Sequence, residues 1–295
     1  MLLASIAEAR KRLLKKERSA KASKKMNKHF DIYSVIAQKF PGRRVPSFIV
    51  NYVKRIVHQD DMNAILDRVG DKQGVDFLDA VLGEFHVTAE FVGSENLPPV
   101  DAQPLLFVSN HPLGGMDGMI IMQMLCHRYD SNLRVFVNDF LMYVDGLKQL
   151  FLPVNKVGMQ SRELSTIMHD EYSSRHHLLT FPAGACSRKI NGVIQDIEWR
   201  KNFIQKAVQY NRTIVPLYFE GRNSNFFYNL ALWRKRLGIK VNIEMLYLVD
   251  EMFKQQGNHF LIHVGKPIPP ATFTPDKTPS EWGMTVRRWV YQNSR

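Results

Sequence analysis

The chain has 295 residues, 45% hydrophobic and 23% charged, with a formal net charge of +12. This composition excludes a fibrous or wholly disordered protein and provides enough apolar side chains for one large core. Cys126 and Cys186 lie far apart without the spacing of a zinc site or a disulfide framework, so we expect a reducing compartment and no metal site. No signal peptide is predicted, and no uncharged apolar run reaches the roughly 18–20 residues of a membrane span. We therefore expect a protein that is soluble or bound to a membrane surface.

Residues 1–29 are predicted to form a basic amphipathic leader. Between residues 10 and 28, ten lysines and arginines face a single glutamate, and leucines lie beside them. Each Lys or Arg near an anionic headgroup contributes about 1 kcal/mol of attraction, so an anionic membrane surface is an expected partner. A solvated basic arm explains the same residues equally well. Nucleic acid is not expected as a partner, because no aromatic residue precedes Phe30 and no nucleic-acid-binding motif occurs.

Residues 30–84 are predicted to be a helical, membrane-proximal region, since apolar residues such as Ile49, Tyr52, Val53 and Ile56 recur at helical spacing. From residue 85 to 295 the pattern changes, and short apolar strands alternate with amphipathic helices. This alternation predicts an α/β domain, a mainly parallel (mixed) sheet covered by helices. Strands are predicted at 86–92, 105–109, 134–137, 178–181, 214–219, 241–249 and 260–264. Helices are predicted at 118–127, 161–173, 199–211, 226–237 and 281–291.

The histidine turn, residues 110–117, joins a predicted buried strand to a helix. A neutral imidazole near a carboxylate acts as a general base, so His111 and Asp117 are the predicted catalytic residues. The alternative is that Asp117 caps the helix and His111 is an ordinary turn residue. Adjacent glycines permit a sharp turn and close approach of a ligand, so Asn110, Gly114 and Gly115 are predicted to contact substrate.

The proline turn, residues 181–189, also leaves a predicted strand. Gly184 and Ser187 leave room for a substrate, and Arg188 and Lys189 are suited to bind a carboxylate or phosphate. Two alternatives remain: a strand-end turn with surface charges, and a thiol nucleophile at Cys186. The charged cluster that follows, residues 196–201, is interpreted as the electrostatics of a helix start.

The glutamate turn, residues 220–225, follows the predicted strand 214–219. Glu220 and Arg222 flank a glycine, and polar residues then precede an aromatic pair. A polar rim beside an apolar wall suits an amphiphilic ligand, so both charged residues are predicted to bind substrate. The alternative is an ion pair at a strand end, with Phe226 and Phe227 in the core.

Together these segments resemble the lysophosphatidic acid acyltransferase (PlsC-like) superfamily over roughly residues 85–265. The first family block is matched by Asn110, His111 and Asp117, although five residues separate the His and Asp where the family has four. The second block resembles residues 134–139. The third block and the apolar-proline fourth block are matched at these positions: Phe181, Pro182, Gly184, Ser187, Val215 and Pro216. In the third block Ala183, Ala185 and Cys186 replace the family's Glu, Thr and Arg.

The resemblance implies a glycerol-3-phosphate acyltransferase-like fold, with His111 as general base and Asp117 orienting it. It implies no bound cofactor, and a cosubstrate thioester of acyl carrier protein or coenzyme A. The missing Glu and Arg weaken the case for a glycerol-phosphate acceptor. The full combination resembles a bacterial, hemolysin-like subgroup of amino-acid-lipid (glycine or ornithine lipid) O-acyltransferases, which implies a lyso-aminolipid acceptor at the cytoplasmic face of the inner membrane. The competing hypothesis is a non-catalytic lipid- or membrane-binding protein that keeps the fold.

Overall fold

The computed structural model describes residues 29, 31–39, 45–137, 144–153 and 161–292. These residues separate into two compact units, divided in sequence after Gly70. The first unit contains α1 (Ile32–Lys39), α2 (Ser47–Ile56) and α3 (Gln59–Val69). The predicted leader lies outside the described residues except for His29, and part of the second family block, residues 138–139, also lies outside them.

The second unit is built on a mainly parallel sheet, as predicted. Its helices are α4 (Gly74–Glu84), α5 (Met116–Arg128), α6 (Ser161–Ser173), α7 (Asn202–Gln209), α8 (Asn225–Arg236), α9 (Leu248–Phe253) and α10 (Pro279–Gln292). Its strands are β1 (Thr88–Val92), β2 (Leu105–Ser109), β3 (Leu133–Val137), β4 (Phe151–Pro153), β5 (His177–Thr180), β6 (Arg188–Ile190), β7 (Val193–Gln195), β8 (Thr213–Phe219) and β9 (His259–Val264). Within the described residues, seven strands pair in the order β1-β9-β8-β2-β5-β3-β4, and β6 pairs with β7 in a separate hairpin. Only the β8–β9 pair of the large sheet is antiparallel.

The central strand β2 explains where the site forms. All of its residues are buried, as is typical of a parallel strand that is covered by helices on both faces. Its neighbours β8 and β5 run parallel to it. The carboxyl ends of these three strands therefore lie at one edge of the sheet, and the histidine, proline and glutamate turns begin there.

Arg212, which immediately precedes β8, secures the opposite end of these strands. It is buried, and burial lowers the pKa of its guanidinium to about 10, so it stays charged at neutral pH. The guanidinium donates hydrogen bonds to five backbone carbonyls: Tyr172 at 2.8 Å, His176 at 2.7 Å, Ser174 at 2.9 Å, Glu171 at 3.0 Å and Leu105 at 3.3 Å. One side chain thus satisfies carbonyls in the last turn of α6 and in the loop before β5, and links them to β2.

Some predicted elements differ from the observed ones. The strand predicted at 241–249 is wrong: the segment forms a 3₁₀ helix, Ile243–Tyr247, followed by α9. A short apolar run does not distinguish a strand from a helix. Glu244 interrupts this run, and it can be buried because its carboxylate is paired with Arg234. The three-residue strands β4, β6 and β7 are too short to show a periodicity. None of the helices in the described part of the chain combines the length and apolar content needed to cross a membrane.

Candidate active site

The histidine turn brings the predicted catalytic pair into direct contact. Nδ1 of His111 lies 3.0 Å from Oδ2 of Asp117. The carboxylate is fully buried, whereas the imidazole is 18% exposed. Because the carboxylate holds Nδ1, Nε2 is the ring nitrogen left to exchange a proton with a substrate.

Asp117 does more than hold the histidine. Its carboxylate also accepts hydrogen bonds from the backbone N–H groups of Leu113 (3.0 Å), Gly115 (3.1 Å) and Gly118 (2.9 Å). The capping interpretation is therefore right only in part: Gly115 is the N-cap, and Asp117 lies within the first turn of α5 while it orients His111.

Gly114 allows a five-residue spacing to close this pair. Its φ of +77° is in the left-handed region that favours glycine. A Cβ atom at this position would lie only 2.9 Å from Cβ of Cys186 and 3.1 Å from Leu248. The chain therefore turns sharply and packs tightly at Gly114, and a larger residue would displace the histidine turn.

His111 and Asp117 each shift the pKa of the other toward its charged form. Burial alone would lower the pKa of His111, but the charge and hydrogen bond of Asp117, with the charge of Asp196, outweigh it and raise the pKa above its ordinary value. Burial alone would raise the pKa of Asp117, but His111 and the backbone donors hold it below its ordinary value. The carboxylate is thus ionised at neutral pH, and it strengthens the imidazole as a base.

The proline turn lies against His111. The ring of Phe181 packs on the His111 imidazole, with ring centroids 4.3 Å apart. The N–H of Ser187 donates to the His111 carbonyl at 2.8 Å. Gly184 is exposed with a φ of +65°, and the Arg200 guanidinium lies 3.4 Å from where its Cβ would be. The histidine turn and the proline turn therefore lie in direct contact.

Asp196 is a site residue that the sequence interpretation missed. It is buried, and its carboxylate accepts from the Ser187 hydroxyl (2.6 Å), the His111 N–H (3.3 Å) and the Trp199 indole (2.9 Å). Burial raises the pKa of Asp196, although these donors oppose the rise. The helix-start interpretation is wrong for this residue, since α7 begins only at Asn202.

Asp196 also receives contacts from the last helix. Its backbone N–H donates to the Tyr291 hydroxyl at 2.7 Å, and its carbonyl accepts from Arg287 at 2.7 Å. Both residues belong to α10. The Ser187 hydroxyl, predicted to contact substrate, is instead occupied by Asp196, so Ser187 has a positioning role.

Asn110 is likewise a positioning residue. Its side-chain N–H donates to the Phe219 carbonyl at 3.0 Å, and its side-chain oxygen accepts from the Phe219 N–H at 2.7 Å. The amide thus joins the ends of β2 and β8 in the way that a strand backbone would. Asn223 makes a second connection, because its side chain donates to the Pro112 carbonyl at 3.3 Å.

Arg188 is already engaged with a buried acid. Its guanidinium lies 3.3 Å from Glu244, donates to the sulfur of Cys186 at 2.9 Å and packs over the ring of Phe227. Glu244 is fully buried and also lies 2.8 Å from Arg234. The predicted use of Arg188 for a substrate anion is therefore replaced by a structural ion pair. Lys189 is half-buried in β6, with no ion pair among the described residues.

In the glutamate turn, the alternative of an ion pair between Glu220 and Arg222 is wrong. Glu220 lies 3.2 Å from His263, and Arg222 donates to the side chain of Asn225, so these two charged residues do not pair with each other in the described chain. Both are exposed at the rim of the site. Phe227 is in the core as the alternative interpretation expected, but Phe226 is 49% exposed.

The thiol nucleophile suggested at Cys186 is contradicted. Cys186 is buried, and burial raises the pKa of its thiol to about 11, so it is neither accessible nor ionised as a nucleophile requires. The N–H groups of Gly115 and Gly184 already donate to Asp117 and to the Phe181 carbonyl, and are not free for an oxyanion. Among the described residues, no group of three His, Cys, Asp or Glu side chains is placed to hold a metal ion.

Comparisons with known proteins show which family this chain resembles. The sequence profile described as Acyltransferase matches residues 34–291. A lyso-glycine lipid O-acyltransferase of Phocaeicola vulgatus is 48% identical over 248 residues, 84% of this chain and 88% of that protein. Another, from Bacteroides thetaiotaomicron, is 46% identical over 264 residues, 89% and 96% of the two chains. The solved 1-acyl-sn-glycerophosphate acyltransferase PlsC of Thermotoga maritima matches at 16% identity with a TM-score of 0.43, covering 84% of this chain and 92% of that one. This chain therefore belongs to the acyltransferase family and is an acyltransferase.

Proposed function

We propose that this protein moves a fatty acyl group from the thioester of acyl carrier protein or coenzyme A to the hydroxyl of a lyso-aminolipid, with a lyso-glycine lipid as the favoured acceptor. The observation that carries the proposal is the His111–Asp117 contact at the edge of the sheet. The acceptor rests on the two relatives named lyso-glycine lipid O-acyltransferases. We place the reaction at the cytoplasmic face of the inner membrane, with the protein bound peripherally.

His111 is the general base in this mechanism. Nε2 takes the hydroxyl proton as the acceptor oxygen bonds to the thioester carbonyl carbon. The tetrahedral intermediate then expels the thiolate, which takes the proton from the imidazolium and leaves as a thiol, while the ester remains on the lipid. Asp117 holds Nδ1–H and offsets the positive charge of the ring. A base placed in this way contributes about 10²–10⁴-fold in rate.

The oxyanion of the intermediate needs hydrogen-bond donors. In the described part of the chain, the N–H groups of Gly114 and Met116 have no acceptor, whereas their neighbours donate to Asp117. Met116 begins α5, so the positive end of the helix dipole lies there. We assign the oxyanion to these two amides.

The acceptor carboxylate or the donor phosphate needs a cation. Arg188 is already paired with the buried Glu244. Lys189, Arg200 and Arg222 carry no ion pair among the described residues, and Arg200 lies beside Gly184 in the proline turn. We assign the substrate anion to these three.

Acyl transfer to defined acceptors tests this function. Thioesters of acyl carrier protein and of coenzyme A, each with a radiolabelled acyl group, are incubated separately with the protein and one acceptor. The acceptors are lyso-glycine lipid, lysophosphatidic acid and a lyso-glycine lipid analogue that lacks the hydroxyl. We expect label only in the hydroxylated lyso-glycine lipid, because the reaction needs an alcohol and the site lacks the family's third-block Glu and Arg. If only lysophosphatidic acid becomes labelled, the proposed lyso-glycine lipid acceptor is wrong. Vesicle binding without any labelled product favours the non-catalytic alternative.

The pH dependence of the reaction follows from the His111–Asp117 pair. The base must be neutral to accept a proton, so kcat/KM is expected to rise with pH through a midpoint above the ordinary histidine pKa of 6.5 and then level off. Asp117→Asn removes the charge that raises the pKa of His111 and leaves the burial, so the midpoint should move to lower pH.

Steady-state rates between pH 5 and 9 measure this midpoint. The matched control is Glu171→Gln, which removes the carboxylate 3.1 Å from His176 in another histidine–acid pair. It should leave the midpoint unchanged. A midpoint for Asp117→Asn that stays in place or moves to higher pH contradicts the pairing argument.

A further inference from the structure

The segment from α8 to the following 3₁₀ helix has a large exposed apolar surface. Trp233 is 62% exposed, Leu237 74% and Val241 70%. Five more apolar side chains of the same segment are exposed: Phe226, Leu232, Ile239, Met245 and Leu246. We call these eight residues the α8 surface. So many large exposed apolar side chains within one short segment are typical of an interaction site on a folded protein.

The charge beside this surface has one sign. Lys235, Arg236 and Lys240 are exposed within the same segment. The single acidic residue between positions 223 and 249 is Glu244, which is fully buried and lies against Arg188 and Arg234. The outer face of the segment is therefore apolar and positively charged, without an exposed carboxylate.

We propose that the α8 surface docks on an anionic lipid leaflet. Its large apolar side chains enter the interface between headgroups and acyl chains, and the three cations lie among anionic headgroups. Tryptophan suits this position because its ring is apolar and its N–H can remain hydrated. The charge excludes two other occupants, since the chain's own leader and a second copy of this surface are both basic.

The same segment adjoins the catalytic turn. Leu248, two residues beyond the α8 surface, lies 3.1 Å from the position of a Cβ atom at Gly114. Arg188, which belongs to the proline turn, reaches Glu244 within the segment. Docking therefore holds the histidine turn close to the leaflet, where a lipid hydroxyl is delivered. This consequence rests on the proposed function, whereas docking itself does not.

Vesicle flotation of the full chain tests the docking. The His111→Ala background is used so that the result is independent of acyl transfer. Trp233→Glu with Leu237→Glu should lower the bound fraction on phosphatidylglycerol–phosphatidylethanolamine vesicles at least about tenfold. The control, Val100→Glu with Val208→Glu, makes the same charge change at exposed apolar positions outside the α8 surface, which are 43% and 47% exposed. It should bind within about twofold of its parent.

A second measurement locates the contact. Brominated lipids should quench the tryptophan fluorescence of the parent through Trp233, which is 62% exposed, because Trp199 and Trp282 are buried and Trp289, outside the α8 surface, is half-buried. Trp233→Phe should still bind vesicles but lose this quenching. The proposal is overturned if both glutamate pairs bind equally well, if phosphatidylcholine vesicles bind as tightly as anionic ones, if an acidic protein binds the surface while vesicles do not, or if Trp233→Phe remains quenched.

Discussion

Replacing His111 with alanine is expected to lower kcat/KM for acyl transfer by about 10²–10⁴-fold. The substitution leaves the sheet edge in place, but it removes the imidazole, so no nitrogen remains to take the hydroxyl proton. Initial rates with radiolabelled thioester measure the loss, and the melting temperature shows whether the fold is intact. The matched control is His127→Ala, which removes an exposed imidazole paired with Asp79. It should retain full activity.

A double variant sharpens this prediction. Residues that act as one unit are strongly non-additive, because the orienting group has nothing to orient once the base is gone. His111→Ala combined with Asp117→Asn should therefore be little slower than His111→Ala alone. Wild-type activity in His111→Ala rejects the base assignment, and a fully multiplicative loss in the double variant rejects the pairing.

Replacing Arg212 with alanine is expected to lower the free energy of unfolding of the second unit by about 3–5 kcal/mol. The substitution leaves a cavity and removes all five hydrogen bonds that the guanidinium donates to buried carbonyls. Urea unfolding followed by tryptophan fluorescence measures this loss. The signal reports the second unit alone, since all four tryptophans follow residue 70.

The control for Arg212 is Arg175→Ala, which removes an exposed guanidinium in the same region and should change the free energy of unfolding by less than about 0.5 kcal/mol. Arg212→Lys should fall between the alanine variant and the wild type. An ammonium group keeps the charge but cannot reproduce the planar fork that reaches five carbonyls. A loss below about 1 kcal/mol for Arg212→Ala contradicts the assigned role.

Much of the fold and the catalytic pair follows from local sequence patterns. The unbroken apolar run at 105–109 is typical of a buried parallel strand, and β2 is the central strand. The helix predicted at 161–173 matches α6. His111 and Asp117 are predictable because the turn that contains them is short, and its glycines leave few ways to close it.

The rest of the site depends on residues far apart in sequence. Asp196 lies 85 positions from His111 and contacts its backbone, which no spacing along the chain can indicate. The position of Asn110, a polar residue directly before the histidine, predicts a substrate contact. Its side-chain amide instead pairs with the backbone of Phe219, which is 109 positions away. Arg188 was similarly misread because Glu244, its buried partner, lies in a segment that resembles a strand.

The hydrogen bonds between Asp196 and α10 connect this helix to the histidine turn. Tyr291 and Arg287 contact the backbone of Asp196, whose carboxylate accepts a hydrogen bond from the N–H of His111, the proposed general base. Helix α10 thus supports the proposed reaction centre through the Asp196 backbone. We expect that deleting the part of α10 that holds Arg287 and Tyr291 loosens the proposed general base at a distance, because the Asp196 backbone loses both contacts.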